Sequence, residues 1–208
     1  IYYCVHAQNF GWMGWAKNGE AAGTEGYGYR VEAIQIKIVK KGAQAPGTTE
    51  QCFSKKWTSI VYSAHVQDIG WQNNVKDGAL AGTTGESKRV EAIKISLSGQ
   101  KAEGSVEYSA HVQDIGWQKP VKDGSLAGTT GKGKRVEAIK INLTGTLSES
   151  CDVYYRVHAQ DYGWLGWTKN GDPAGTEGLS KRIEAIEIKV VTKGDTAPEM
   201  GKEAFVKK

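Results

Sequence analysis

The stretch YSAHVQDIGWQNNVKDGALAGTTGESKRVEAIKISL, from Tyr62 to Leu97, decides the fold. It opens on Tyr62-Ser63-Ala64-His65-Val66-Gln67, which alternates with period two and reads as a strand. Tyr62, Ala64 and Val66 share one face, and Ser63, His65 and Gln67 share the other. Gly70-Trp71 marks a bend or bulge. Asp77-Gly78 then signals a tight turn, because a type I′ turn needs positive φ at both central residues. Gly82-Thr83-Thr84-Gly85 marks a second turn. The stretch closes on a β-branched strand, Arg89 to Ile95, in which alternation puts Glu91, Ile93 and Ile95 on one face.

The same pattern recurs without a gap from Tyr3, Tyr108 and Tyr155. All four histidines of the chain, His6, His65, His111 and His158, fall at one repeat position. Trp12, Trp71, Trp117 and Trp164 fall at another. Equal spacing predicts the same local structure in each copy. The first and fourth copies differ from the inner two. They carry a second tryptophan (Trp15, Trp167), the sequence AGTEG in place of AGTTG, and matching tails, Gly42–Lys56 and Gly194–Lys208. The order is closing, inner, inner, closing. Residues 1–57 therefore read as the closing copy of a preceding module with its tail. Residues 58–208 read as a complete three-copy module, with copies near 62–97, 108–143 and 155–190.

A unit of three or four short strands cannot bury its apolar face alone and must pack on its neighbours. Three copies closing around a pseudo-threefold axis would remove exposed strand edges. The expected fold is all-β and β-prism-like, with a β-trefoil as the alternative.

The pattern Y-x-x-H-x-Q-x-x-G-W, D/N-G, A-G-T-x-G, R-x-E-A-I-x-I resembles the ChW repeat, the clostridial hydrophobic repeat with its tryptophan. The resemblance covers about two thirds of the chain. It implies a secreted or surface-attached protein of Gram-positive anaerobes, with repeats in groups of three. It also implies adhesion, or binding of carbohydrate or protein. The family has no settled catalytic residues to carry over.

The remaining features point the same way. The chain has 208 residues with a net charge of +4, spread along its length rather than clustered as a nucleic-acid face would require. No apolar run reaches the roughly 18 residues of a membrane helix. There is no signal-like start at Ile1, so the chain reads as a processed product or an excerpt. No zinc-protease, nucleophile-elbow or EF-hand motif is present. Gly128–Lys134 nearly matches a phosphate loop, but Arg135 stands where Ser or Thr is needed. An enzyme, a cofactor and a metal site are therefore not expected.

The shared tryptophans Trp12, Trp71, Trp117 and Trp164 read as repeat core, since large aromatics dominate burial. Trp15 and Trp167, which alternate with Asn74 and Pro120, read as ligand-binding candidates beside Asn18 and Asn170. The four histidines read as structural polar groups bonding between sheets. Arg89 with Glu91, and Arg135 with Glu137, read as half-buried ion pairs that impose register. The chain has three cysteines, Cys4, Cys52 and Cys151. A Cys4–Cys52 disulfide would staple the small first unit, with Cys52–Cys151 or three free thiols as rivals.

The expected function is a multivalent binding module, secreted or on the cell surface, with glycan as the leading ligand. A host or partner protein such as an immunoglobulin is the alternative. A structural or self-assembling role through the unpaired first repeat is a third reading. Neither nucleic-acid binding nor membrane insertion is expected.

Overall fold

A computed structural model describes residues 1–27, 29–55, 58–99 and 103–208. The fold is all-β, strands joined by tight turns with, among the described residues, one four-residue helix at Leu147–Ser150. The chain divides into two compact units, Ile1–Trp57 and Thr58–Lys208. Lys56 and Trp57, at the boundary read from the sequence, lie outside the described residues.

Each repeat is built on a long antiparallel pair. In the second repeat Ser59–Val66 pairs with Val90–Ser98, in the third Val106–Val112 with Val136–Leu143, and in the fourth Cys151–Ala159 with Ile183–Thr192. Two short strands lie along the other edge of the opening strand. In the second repeat these are Gly70–Trp71 and Val75–Lys76. The Asn-Gly and Asp-Gly turns have positive φ at both residues, 45° at Asp77 and 91° at Gly78, for example. The turn Asx side chain then reaches back to the opening strand: Asp77 Oδ1 accepts from Ile60 N, Asp123 Oδ1 from Val106 N and Asn170 Oδ1 from Val153 N.

In the larger unit the three repeats are joined in a ring by strand exchange. Ala127–Gly128 of the third repeat pairs with Ala92 and Ile93 of the second. Ala174–Gly175 of the fourth pairs with Ala138 and Ile139 of the third. Ala81–Gly82 of the second pairs with Ala185 and Ile186 of the fourth. Every repeat gives one short strand and takes one, and the third step closes the cycle. The approach is so close that only glycine fits: a Cβ on Gly128 would lie 2.3 Å from Glu91 O and 2.6 Å from Ala92 Cα.

A tyrosine seals each junction. The Tyr108 hydroxyl donates to Ser125 O in its own repeat and accepts from Ile95 N of the second. Tyr155 does the same with Asp172 O and Ile141 N, and Tyr62 with Ala79 O and Ile188 N. The carbonyl of the same isoleucine accepts from the turn glycine, as Gly124 N to Ile95 O at 2.6 Å. These hydroxyls are enclosed in one core that spans all three repeats and includes Ile93, Ile139 and Ile186.

Burial pushes the hydroxyl of Tyr62 up to about 12 and those of Tyr108 and Tyr155 upward too, because a phenolate there would be desolvated. An unfolded tyrosine ionises near pH 10. The folded state therefore holds these protons more tightly, and the stability they contribute is complete below about pH 10 and declines as pH rises toward about 12. Urea midpoints measured at about pH 9 and about pH 11.5 should show this alkaline loss.

The outer edge of the exchanged strand is covered in two ways, and this explains the two kinds of copy. In inner repeats a glutamine covers it: Gln72 accepts from Gly82 N at 2.6 Å and donates to Gly82 O at 3.0 Å, and Gln118 does the same for Gly128. Closing repeats have Met13 and Leu165 there, both buried, and the tail supplies a parallel strand instead. Phe53–Lys55 pairs with Gly23–Glu25, and Phe205–Lys207 with Gly175–Glu177.

In the smaller unit Tyr2–Ala7 pairs with Val31–Lys37, Gly11–Trp12 and Ala16–Lys17. Its core is small: Val5, Ala7 and Met13, with Ala22 against them. All of Val31–Lys37 is exposed. Ile34 and Ile36 are 59% and 65% exposed, whereas their counterparts Ile93 and Ile95 are fully buried. Each such exposed isoleucine forgoes about 2 kcal/mol of burial.

Candidate functional site

The outer face of each long pair carries the polar and aromatic side chains that recur in every copy of the repeat. A β-bulge places them there. The register shifts between Val90 and Ala92, so Glu91 does not share a face with Ile93 and Ile95, as simple alternation suggested. Its carboxylate instead meets His65, with Nδ1 3.2 Å from Oε2, and Arg89, with Nη2 2.8 Å from Oε1. The third and fourth repeats build the same group from His111, Arg135 and Glu137, and from His158, Arg182 and Glu184. The three glutamates are buried, and their arginine partners reach solvent. A lone buried carboxylate would be strongly destabilising, so the pair fixes the bulge more than it adds net stability. The histidines act within one sheet, not between sheets, because His and Glu sit on strands of the same pair.

The tryptophan follows from the histidine. His65 lies opposite Trp71 in register, and the rings meet edge to face at 5.4 Å and 78°. His6–Trp12, His111–Trp117 and His158–Trp164 repeat the contact. This corrects the sequence reading of Trp12, Trp71, Trp117 and Trp164 as core. Trp12 is 48% and Trp71 38% exposed, and Trp117 and Trp164 are half-buried. They stand on the histidine face, and the core is taken by the tyrosine, alanine and valine face.

A cation covers an indole face in the larger unit. Lys94 Nζ lies 4.6 Å from the Trp71 ring centroid and Lys140 Nζ 4.5 Å from that of Trp117. In the fourth repeat the cation moves to the opposite strand: Arg156 sits 4.6 Å from Trp164 and 4.9 Å from Trp167, and its Nε donates to Glu187 at 2.7 Å. In the first repeat Cys4 and Gln35 occupy these cross-strand positions. Among the described residues no cation covers Trp12.

Open grooves adjoin two of these tryptophans, Trp71 and Trp164. One of about 450 Å³ is lined by Trp71, Gln72, Asn73, Val75 and Leu80. A larger one of about 610 Å³ lies between Trp164, Trp167 and Arg156 on one side and the tail residues Pro198, Glu199 and Met200 on the other. Trp167 also anchors that tail, since its backbone N donates to Met200 O at 2.9 Å; Trp15 N donates to Thr48 O at 2.8 Å in the same way. Gly166 leaves room for the tail backbone, because a Cβ there would lie 1.7 Å from Lys202 O.

Asn18 and Asn170 do not face a groove as free ligand donors. Asn18 Oδ1 accepts from the Ile1 amino group, and Asn170 uses its oxygen on Val153 N and its amide on Asp152. Their positive φ makes them turn residues. The expected Cys4–Cys52 disulfide is not formed, and all three cysteines are free thiols. The Cys4 thiol is buried against Gln35 on the neighbouring strand, and burial pushes its pKa up. Cys52 enters the tail strand, where its carbonyl accepts from Gly23 N.

The sequence reading missed two contributors. Glu177 accepts from Trp117 Nε1 at 3.1 Å and pairs with Lys207 of the tail at 2.7 Å. Lys207 first, and the Trp117 indole second, hold the Glu177 carboxyl below the usual carboxylate range. The AGTEG signature of closing copies was the available signal. The second contributor is an aromatic cluster in the first repeat, where Phe10 meets Tyr27 at 5.1 Å and Tyr27 meets Tyr29 at 5.5 Å. Tyr29 and Asn9 there replace the Lys88–Asp68 ion pair of the second repeat.

The sequence pattern of the family described as "Clostridial hydrophobic W" (ChW) matches at residues 6–40, 65–99, 111–145 and 158–192, more than half of the chain. The chain belongs to the ChW family. Each match starts on the histidine that supports the tryptophan, so the ChW repeat carries the whole His–Trp–Glu–Arg group. No curated protein and no solved structure matches this ChW chain.

Proposed function

We propose that the chain is an extracellular or cell-surface multivalent binding module rather than an enzyme, and that its ligand is carbohydrate. The observation that carries this reading is the outward tryptophan held edge-on by histidine in each repeat, which at Trp71 and Trp164 stands beside an open groove. A sugar binds by stacking its C–H face on an indole while its hydroxyls meet polar groups. Arg156, Glu199 and Lys202 around the Trp164–Trp167 groove, and Asn73 beside Trp71, provide donors and acceptors. A rigid scaffold supports this chemistry at little ordering cost, and equivalent sites on one chain multiply weak affinities.

A glycan array tests the reading. The parent chain should retain a defined set of glycans, and Trp164→Ala should weaken retention at least tenfold without lowering the thermal midpoint. An array without hits would overturn it.

A protein ligand is the second reading, favoured by exposed apolar residues near the tryptophans, Ile69, Leu80, Ile115 and Leu126. Capture of one partner protein, unchanged by its deglycosylation, would select it over carbohydrate.

A further inference from the structure

The second and third repeats carry the same indole group, and in only one of them is the indole N–H engaged. In the second repeat His65 meets Trp71 at 5.4 Å and 78°, and Lys94 Nζ lies 4.6 Å from the ring centroid. In the third, His111 meets Trp117 at 5.4 Å and 76°, and Lys140 Nζ lies at 4.5 Å. The difference comes from the next repeat in the ring, through the short strand it gives. The fourth repeat brings Glu177 to Trp117. Its carboxylate accepts from Trp117 Nε1 at 3.1 Å and pairs with Lys207 at 2.7 Å.

At the corresponding position the third repeat brings Thr130, which is exposed and has a shorter side chain. Among the described residues neither the Trp71 indole N–H nor the Lys94 ammonium has a hydrogen-bond or ion-pair partner. Trp71 is also 38% exposed, whereas Trp117 is half-buried. The place that a carboxylate fills at Trp117 is thus open to solvent at Trp71.

We infer that the glycan is acidic: the Trp71 groove takes a sugar carboxylate, which accepts from Trp71 Nε1 as Glu177 does from Trp117. This rests on the carbohydrate reading and names the ligand class. A neutral hydroxyl also accepts from an indole N–H, but it leaves the Lys94 ammonium without a counter-charge. A carboxylate satisfies both, and its hydrogen bond is the stronger for being charge-assisted. The groove of about 450 Å³ beside the indole, with Asn73 and Leu80 on its walls, receives the body of the sugar. The net charge of +4 favours the approach of an anionic chain. Trp164 is less suited to the acid. Its cation, Arg156, is already neutralised by Glu187, and Glu199 lines its groove.

A glycan array carrying uronate and sialylated oligosaccharides, each beside its carboxyl-reduced counterpart, tests the inference. The parent chain should retain acidic members, and reduction of the carboxyl should weaken retention about tenfold or more. Retention of either class of acid supports the inference, and the class retained identifies the sugar. Thr130→Glu supplies a carboxylate from within, and Lys94→Gln removes the counter-charge. Both residues are exposed, so both variants should keep the parent's thermal midpoint while losing the acidic hits. Reduced members retained as strongly as the acidic ones overturn the inference and leave the carbohydrate reading standing. So does either variant that keeps the acidic hits at parental strength. An array without hits of any kind overturns the carbohydrate reading and the inference with it.

Discussion

Gly128→Ala should lower the stability of the larger unit by about 4 kcal/mol, far more than an added methyl group costs elsewhere on its surface. Two effects combine. Gly128 has φ +108°, which an L-residue adopts only with strain. The new Cβ would also stand 2.3 Å from Glu91 O and 2.6 Å from Ala92 Cα, which are backbone atoms of the receiving strand and cannot rotate away. The junction between the second and third repeats must open, and one open junction exposes core shared by all three. Gly124→Ala is the control. Its φ is +80°, yet nothing lies within 4 Å of its Cβ. It should lose only about 1 kcal/mol of strain energy. Urea midpoints with unchanged slopes would measure both. Equal losses in the two variants would show that no close junction exists at Gly128.

Tyr155→Phe should cost about 3 kcal/mol, although it removes a single oxygen. That hydroxyl, on a fully buried side chain, donates to Asp172 O at a turn and accepts from the buried Ile141 N at 3.0 Å. Its loss leaves the Ile141 N–H without a partner in a buried site that water cannot reach, while Asp172 O, on an exposed turn, loses one donor. Tyr3→Phe is the comparison. Tyr3 is half-buried, and its hydroxyl bonds Glu20 O and Gly19 N in a turn open to solvent. A loss below about 1 kcal/mol is expected there, because water replaces the missing partner. Similar losses at the two positions would contradict the distinction drawn between a sealed and an open node.

The two ranks of evidence in the sequence differ in reach. Repeat length, the Asp-Gly turns and the alternating Tyr-x-Ala-x-Val strand are local signals, and the positive φ values at Asp77 and Gly78 follow from local turn chemistry. The junctions are not local. Nothing in Ala81–Gly82 announces that its partner lies about a hundred residues away at Ala185–Ile186. The glycine was legible as a turn signal, and its need for a close backbone approach was not. The tryptophan was misassigned for a related reason. Size argued for burial, but the bulge at Glu91 builds an outer polar layer that supports the indole without enclosing it. The difference between inner and closing copies was visible as Gln72 against Leu165. Its meaning emerged only when both were seen covering the same strand edge, one by an amide and the other with a tail strand. Trp15 and Trp167, singled out for being unshared, hold that tail, and Trp167 also shares its groove with Trp164.

The most direct test of the account follows the seven indole N–H resonances of the chain during titration with an oligosaccharide selected on the glycan array. The account predicts that the signals of Trp71, Trp164 and Trp167 shift progressively with ligand, and that Trp164→Ala abolishes the shift at Trp167. Saturable binding that leaves all seven resonances in place would contradict it.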